Sequence, residues 1–196
     1  MKKQSNEKMM SFDECCGMCA PCAKVGRPAP DFKAKAYQKG KFVDIKLSDF
    51  RGKWVVLFFY PLDFTFVCPT EIESFQKKRK DFEKLDAVVI GGSTDSEYSH
   101  KAWYESDSRL KGVEFPVISD KTREIAEAYG ALVDDSGIAL RATYIIDPEG
   151  VLQHMSMNNL NIGRSVDETL RILQAFQTGS LCPVEWKPGM KTLGKA

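Results

Sequence analysis

WVVLFFYPLDFTFVCPTEIESF, residues 54–75, is the stretch from which the fold of this chain can be read. It opens with an unbroken apolar run, Trp54 to Tyr60, rich in β-branched and aromatic side chains, as in a strand buried on both faces. Pro61 ends the strand, because proline cannot donate to a ladder. After a short loop Cys68 comes directly before Pro69, and the apolar residues change to helical spacing at Ile72, Phe75 and Phe82. Proline is favoured in a first helical turn, and Thr70 with Glu73 has the spacing of a capping box. A helix over 69–85 is predicted, with Gln76, Lys77, Lys78 and Lys80 turned to water. Cys68 then stands where a central strand hands over to a helix, at the end whose dipole favours an anion.

Outward from this unit, Ala87–Gly92 reads as a second buried strand, so 54–92 forms a β-α-β unit with parallel strands. Gly91-Gly92 lacks the spacing and the Lys of a phosphate loop. Upstream, Gln38-Lys39-Gly40 marks a hairpin between two extended runs in 31–47. Downstream come a helix near 96–107, a short strand near Phe115–Ser119, and a helix ending at Gly130 with Asp120 as its N-cap. A hairpin of Arg141–Ile146 and Val151–Met157 turns at Asp147-Pro148-Glu149-Gly150. The last helix is capped by Ser165 and Glu168, points Leu170, Leu173 and Phe176 inward, and stops at Gly179. This order gives an α/β chain with a thioredoxin-like fold: one central mixed sheet flanked by helices, in a single domain. The division is 1–24 as a flexible cysteine-containing extension, 25–179 as the domain and 180–196 as a C-terminal tail.

With 196 residues the chain is long enough for one well-buried core. Its 28 basic and 27 acidic side chains leave no electrostatic footprint for nucleic acid or an anionic membrane. The Lys77-Lys78-Arg79-Lys80 run reads as the solvated face of a helix. No apolar stretch is long enough for a signal peptide or a membrane span, so a cytoplasmic location is expected. In such a compartment six cysteines indicate catalysis or metal binding rather than a disulfide scaffold. Four of them, Cys15, Cys16, Cys19 and Cys22, cluster near the N-terminus. Cys16, Cys19 and Cys22 begin a C-x-x-C-x-x-C run, but the fourth position of an iron–sulfur motif, 26, is Gly. Zinc would need the adjacent Cys15 and Cys16 to share it, with no His nearby. No metal or cofactor is therefore assigned.

Pro61, Thr65 and Cys68 form a P-x-x-x-T-x-x-C motif, and with it the chain closely resembles the peroxiredoxins, in particular the typical two-cysteine subgroup. VIGGSTDSEYSHKAW (89–103), LRATYIIDPEG (140–150), IGRSVDETLR (162–171) and LCPVEWKPG (181–189) match segments of that subgroup in the same order. The resemblance covers about residues 25–190 and says nothing of the first two dozen. Read alone, a cysteine beside a buried strand is as readily a small core hydrophobe as a nucleophile. The resemblance favours the nucleophile. It implies a thiol-dependent peroxidase acting on hydrogen peroxide and organic hydroperoxides through a sulfenic acid on Cys68. Cys182 of the partner subunit would resolve that acid, in a homodimer, with a decamer of dimers left open. It further implies Arg141, Thr65 and Pro61 as catalytic companions of Cys68, with Glu71 and Arg164 orienting Arg141, and a thioredoxin-like or flavoprotein disulfide reductase as electron donor. His100 and His154 are expected to be structural, and Trp103 to line a pocket or an interface.

Magnitudes say why a thiolate is not sufficient. Lowering any thiol from about 8.5 to about 6 raises its thiolate fraction at neutral pH roughly thirtyfold. A Brønsted slope of about 0.45 takes back roughly tenfold. The rest must come from binding the transition state. Two other functions stay open at this point: a chaperone-like oligomeric holdase, and metal handling by the N-terminal cysteines. Relatives sensitive to overoxidation carry a Gly-Gly-Leu-Gly insert and a C-terminal Tyr-Phe helix. Residues 108–114 lack the insert, and residues 190–196 end the chain without an aromatic clamp, so a readily opening tail is expected.

Overall fold

The computed structural model describes residues 22–195. Trp54–Phe59 is strand β3, and its side chains alternate between two separate cores. Val55, Leu57 and Phe59 enter one; Val56, Phe58 and, just beyond the strand, Tyr60 enter the other. A strand buried on both faces needs a sheet covered on both sides, which this one is. Around β3 lie β1 (Lys33–Gln38), β2 (Lys41–Lys46), β4 (Ala87–Ser93), β5 (Val117–Ser119), β8 (Arg141–Ile146) and β9 (Leu152–Asn158), in the order β2-β1-β5-β4-β3-β8-β9. β3, β4 and β5 run parallel; β1, β8 and β9 pair antiparallel to their neighbours. The mixed sheet expected for a thioredoxin-like fold is present.

Helices α1 (Cys68–Lys84), α2 (Glu97–Ser106) and α4 (Val166–Gln177) cover the face holding Phe58; α3 (Glu124–Ala128) covers the other. Phe58 stacks on Phe75 of α1 with ring centroids 4.1 Å apart, fixing the helix over the strand it follows. The β1–β2 turn takes Lys39 and Gly40 at φ 48° and 80°, the left-handed pair a two-residue hairpin demands. A two-stranded ribbon, β6 (Leu132–Val133) with β7 (Ile138–Ala139), had no counterpart in the sequence reading.

Several local expectations are corrected. Val67 is already helical (φ −79°, ψ −42°), so α1 starts one residue early and has no side-chain cap. Thr70 falls inside the first turn, where its hydroxyl donates to the Val67 carbonyl at 2.6 Å, and Glu73 pairs with Lys77. The capping box is not formed. Asp120 does cap α3, from a distance: its carboxylate accepts from Ile125 N and Ala126 N, while Arg123 occupies the N-cap position at φ 67°. Ser165 accepts from Glu168 N as expected. Phe176 turns outward instead, 38% exposed, and stacks on Trp54. Ala23 is buried and its N–H donates to Ala128 O, so residues 22–24, read with the extension, lie on the domain.

Gly92 is where β4 comes closest to its neighbours. A Cβ there would sit 2.6 Å from Cγ1 of Ile118, itself without exposed surface. Gly92→Ala should therefore cost about 1–3 kcal/mol, read as a lower urea midpoint at unchanged slope; an unchanged midpoint would mean that β5 yields freely.

Candidate active site

Tyr60 N–H still bonds to Gly92 O, 2.9 Å away, but Pro61 has no N–H and the chain leaves the sheet there. The loop that follows is held by a buried polar cluster. Asp63 accepts from the Tyr60 hydroxyl at 2.8 Å and lies 2.8 Å from His100 Nδ1, and its own N–H donates to Asp95 at 2.9 Å. His100 Nε2 faces the Ile118 carbonyl at 3.1 Å and must carry a hydrogen. Its Nδ1 faces the Asp63 carboxyl in a pair with almost no solvent exposure. Burial and the nearby Asp63 charge push the Asp95 carboxyl up. His100 is thus tied into this buried cluster. Asp63, its partner, was not foreseen; a lone Asp in a loop gives no sign of a residue 37 positions away.

The loop delivers Cys68 to the first turn of α1, fully buried. Arg141, the first residue of β8, reaches across from the next strand and donates from Nη1 to Cys68 Sγ at 3.3 Å. The same Nη1 donates to Glu71 Oε2 at 2.6 Å, and Nε to Leu160 O at 2.8 Å. Nη2 has no hydrogen-bond partner among the described residues. Glu71, one helical turn beyond Cys68, also accepts from Arg164: from its N–H at 2.9 Å, Nε at 2.8 Å and Nη2 at 3.1 Å. Arg164 further donates to Ala142 O at 2.6 Å and lies 5.2 Å from the Phe58 ring centroid. Burial alone would raise the Glu71 carboxyl, but the hydrogen bonds and charge of Arg164, joined by Arg141, outweigh it and hold the group below its ordinary value.

Thr65 is half-buried, and its hydroxyl donates to Leu62 O at 2.9 Å. That commits its one proton, leaving the oxygen lone pairs to accept. Pro61 is buried at the start of the loop. Phe64, Thr65, Phe66 and Trp103 line a depression beside the loop that extends to Arg109. Trp103 contributes one face of it, in line with the sequence reading. Phe66 is 92% exposed and Phe64 adopts φ 56°.

Cys182 does not meet Cys68 within one chain. Its Sγ lies 3.5 Å from Thr178 Oγ1 and 3.7 Å from Ala175 O, on the tail beyond α4. Cys22, Cys68 and Cys182 are free thiols. Cys15, Cys16 and Cys19 lie outside the described residues. Among those described, no group of three or more His, Cys, Asp or Glu could hold a metal ion, and no helix is long and apolar enough to cross a membrane. The tail is not loose. Trp186 is buried, donates from Nε1 to Met190 O at 3.1 Å, and its carbonyl accepts from Arg171 Nη1 at 2.7 Å. The sequence reading found no aromatic clamp beyond residue 190 and passed over the tryptophan before it.

Residues 25–155 match the AhpC/TSA family. The chain is 50% identical over 170 residues to a putative peroxiredoxin in the rubredoxin operon of Clostridium pasteurianum, spanning 84% of this chain and 96% of that one. It is 54% identical over 177 residues to the chloroplastic 2-Cys peroxiredoxin BAS1 of Spinacia oleracea, spanning 86% and 67%. Among solved structures, the reduced 2-Cys peroxiredoxin of Plasmodium vivax superposes with a TM-score of 0.83 at 42% identity, covering 86% and 91% of the two chains. Mycobacterium bovis AhpC gives 0.78 at 39%, covering 86% and 100%.

Glu71 is the counterion of two buried arginines, so removing its charge leaves both unpaired. Glu71→Gln should cost about 3 kcal/mol in urea unfolding. The acid dependence should change as well. A carboxyl held low by folding contributes stability that is present above its unfolded value, about 4.3, and is lost as pH falls through the lower folded value. The Gln protein should lack that share of the loss below roughly pH 4.3; parallel pH profiles for the two proteins would refute the pairing.

Proposed function

The chain belongs to the AhpC/TSA family of peroxiredoxins and is a thiol-dependent peroxidase, and from that premise we propose that Cys68 is the thiol that attacks the peroxide. The observation that carries this is the Arg141 Nη1–Cys68 Sγ contact of 3.3 Å at the start of α1. The comparisons lend no support to a holdase or a metal-handling protein. Members of the family act on peroxides and form dimers or oligomers.

The sulfur of Cys68, as thiolate, attacks the terminal oxygen of ROOH. An S–O bond forms, the O–O bond breaks, and the alkoxide that leaves takes up a proton as ROH. Cys68 is left as sulfenic acid. Negative charge moves from sulfur onto the departing oxygen. Arg141 can follow it: Nη1 already donates to sulfur, and Nη2, without a hydrogen-bond partner among the described residues, can donate to a peroxide oxygen. The Thr65 oxygen accepts the hydroperoxide O–H and orients the substrate in line with the attacking sulfur. Pro61 keeps water from the sulfur side of the loop. Glu71 and Arg164 do not touch the reacting atoms; they fix the Arg141 fork.

Cys182 of the partner subunit then condenses with the sulfenic acid. Its sulfur bonds to Cys68 Sγ, and hydroxide leaves with the thiol proton as water. A dithiol reductant, thioredoxin-like or flavoprotein, returns both thiols by exchange. The tail, 180–196, is read as the segment that carries this thiol to its neighbour. Turnover measured in parallel with each reductant identifies the donor.

Cys68→Ser should abolish peroxide consumption, while Cys182→Ser should keep the fast first phase of stopped-flow oxidation and lose the second. After one equivalent of peroxide the unaltered protein should run as a dimer on a non-reducing gel, and either substitution should remove that band. A dimer persisting without Cys182 would implicate the N-terminal cysteines. Arg141→Lys keeps the charge but loses the fork, and should slow the first phase by about 10²–10³.

A further inference from the structure

Four cysteines near the N-terminus have no part in the chemistry above: Cys15, Cys16, Cys19 and Cys22. Cys22 is the first described residue, and it is an exposed free thiol. The chain just after it is fastened to the domain. Ala23 is buried and its N–H donates to Ala128 O at 2.8 Å, Gly26 N–H to Leu152 O at 2.7 Å, and Ala29 N–H to Gly150 O at 2.9 Å. Cys22 itself lies towards the other end of β9. A Cβ placed on Gly130 would meet Cys22 Sγ at 3.4 Å and Met157 Cε at 4.0 Å. Met157 pairs with Ala142, and the next pair along is Asn158 with Arg141. Arg141 is the residue whose Nη1 donates to Cys68 Sγ at 3.3 Å. The anchored thiol therefore stands at the catalytic end of the sheet, on the face that Ala142 and Met157 share and opposite the core that holds Cys68. Cys19-Ala20-Pro21-Cys22 has the C-x-x-C spacing of a redox dithiol. One sulfur of the pair is held at the domain; Cys19 lies outside the described residues.

We propose that Cys19 and Cys22 are a built-in electron donor that reduces the Cys68–Cys182 disulfide, and that the external dithiol reductant recharges this pair. The inference rests on the reading of Cys68 and Cys182 given above. The exchange balances in two steps. Cys22, as thiolate, attacks the sulfur of the partner's Cys182; a Cys22–Cys182 bond forms, the Cys68–Cys182 bond breaks, and Cys68 leaves as thiolate. Cys19, as thiolate, then attacks Cys22 Sγ; a Cys19–Cys22 bond forms, and Cys182 leaves as thiolate and takes up the proton that Cys19 gave. Two electrons have passed from one thiol pair to the other. The direction of attack follows from the site. The sulfur whose charge is better accommodated leaves faster. Arg141 donates to Cys68 Sγ, whereas Cys182 Sγ contacts Thr178 Oγ1 and the Ala175 carbonyl. A dithiol tethered within reach acts at an effective concentration on the order of millimolar. Exchange is reversible, so after one equivalent of peroxide both disulfides are present. A second equivalent oxidises the Cys68 thiolate that exchange has returned.

Titration with hydrogen peroxide in the absence of any external reductant counts the stored electrons. Fully reduced, full-length protein should consume about two equivalents per chain in the rapid phase, one for each disulfide. Cys22→Ser should halve that amount, while the combined Cys15→Ser and Cys16→Ser protein should keep it. Cys68→Ser should consume none in the same phase, because the second pair of electrons leaves through Cys68 and not by direct oxidation of exposed thiols. With Cys15→Ser, Cys16→Ser and Cys19→Ser combined, the second exchange step is blocked. One equivalent of peroxide should then leave a Cys22–Cys182 cross-linked peptide, read by mass spectrometry; its absence overturns Cys22 as the attacking sulfur. A single equivalent for the unaltered protein, or two for the Cys22→Ser protein, overturns the relay. The protein with serine at all four N-terminal positions separates this inference from the reading beneath it. If it forms no Cys68–Cys182 disulfide with one equivalent, the assignment of Cys182 fails and the relay with it. If it forms that disulfide while the unaltered protein stops at one equivalent, the relay alone fails.

Discussion

The bond pattern around Glu71 is the constraint on which the site depends. One carboxylate joins α1, which carries Cys68, to the start of β8, which carries Arg141, and to the segment before α4, which carries Arg164. Two guanidiniums and one carboxylate leave a net charge of +1 in a region with almost no exposed surface. A buried excess charge is costly unless something opposes it. Anionic sulfur can do so, and Cys68 Sγ lies 3.3 Å from Arg141 Nη1. On the proposed mechanism the cluster is complementary to the charge that the reaction creates. Preorganisation of this kind is the contribution that acidity of the thiol alone cannot make.

Above that cluster the sheet decides where things stand. β3 fills both cores, so it has no freedom to slide; its end fixes where the Pro61 loop leaves the sheet, and Phe58 on Phe75 fixes the helix that returns. The ring that clamps α1 to β3 also lies beneath the Arg164 guanidinium. Core packing and site geometry therefore share a side chain, and a change to one is felt by the other.

What the sequence made legible follows the same division. The strand and the helix that follows it were readable because each leaves a local mark, an apolar run and a proline, while Cys68, Arg141 and Arg164 were singled out through the resemblance of their segments to the family. The elements came out in the right order because periodicity is a local property. Boundaries shifted where a residue had two ways of satisfying its polar groups. Thr70 bonded to the carbonyl behind it rather than capping, and Asp120 reached forward past the cap position. The Asp63–His100 pair and the Arg171–Trp186 contact were invisible because each joins segments brought together only by the finished fold. Phe176 was read as core from its spacing, but Trp54 at the margin of β3 offered a stacking partner outside it.

Complete burial of Cys68 has a thermal consequence. On the proposal that its sulfur condenses with a thiol of another chain, the first turn of α1 must leave the core and afterwards return. Each turnover then contains a small folding reaction, with apolar surface wetted and dried again. Wetting apolar surface raises the heat capacity, so the enthalpy of that excursion grows with temperature. The enzyme's rate should accordingly bend on an Arrhenius plot wherever the excursion limits it, and run straight wherever the peroxide encounter does. The temperature response of catalysis thus records which part of the cycle is chemistry and which part is folding.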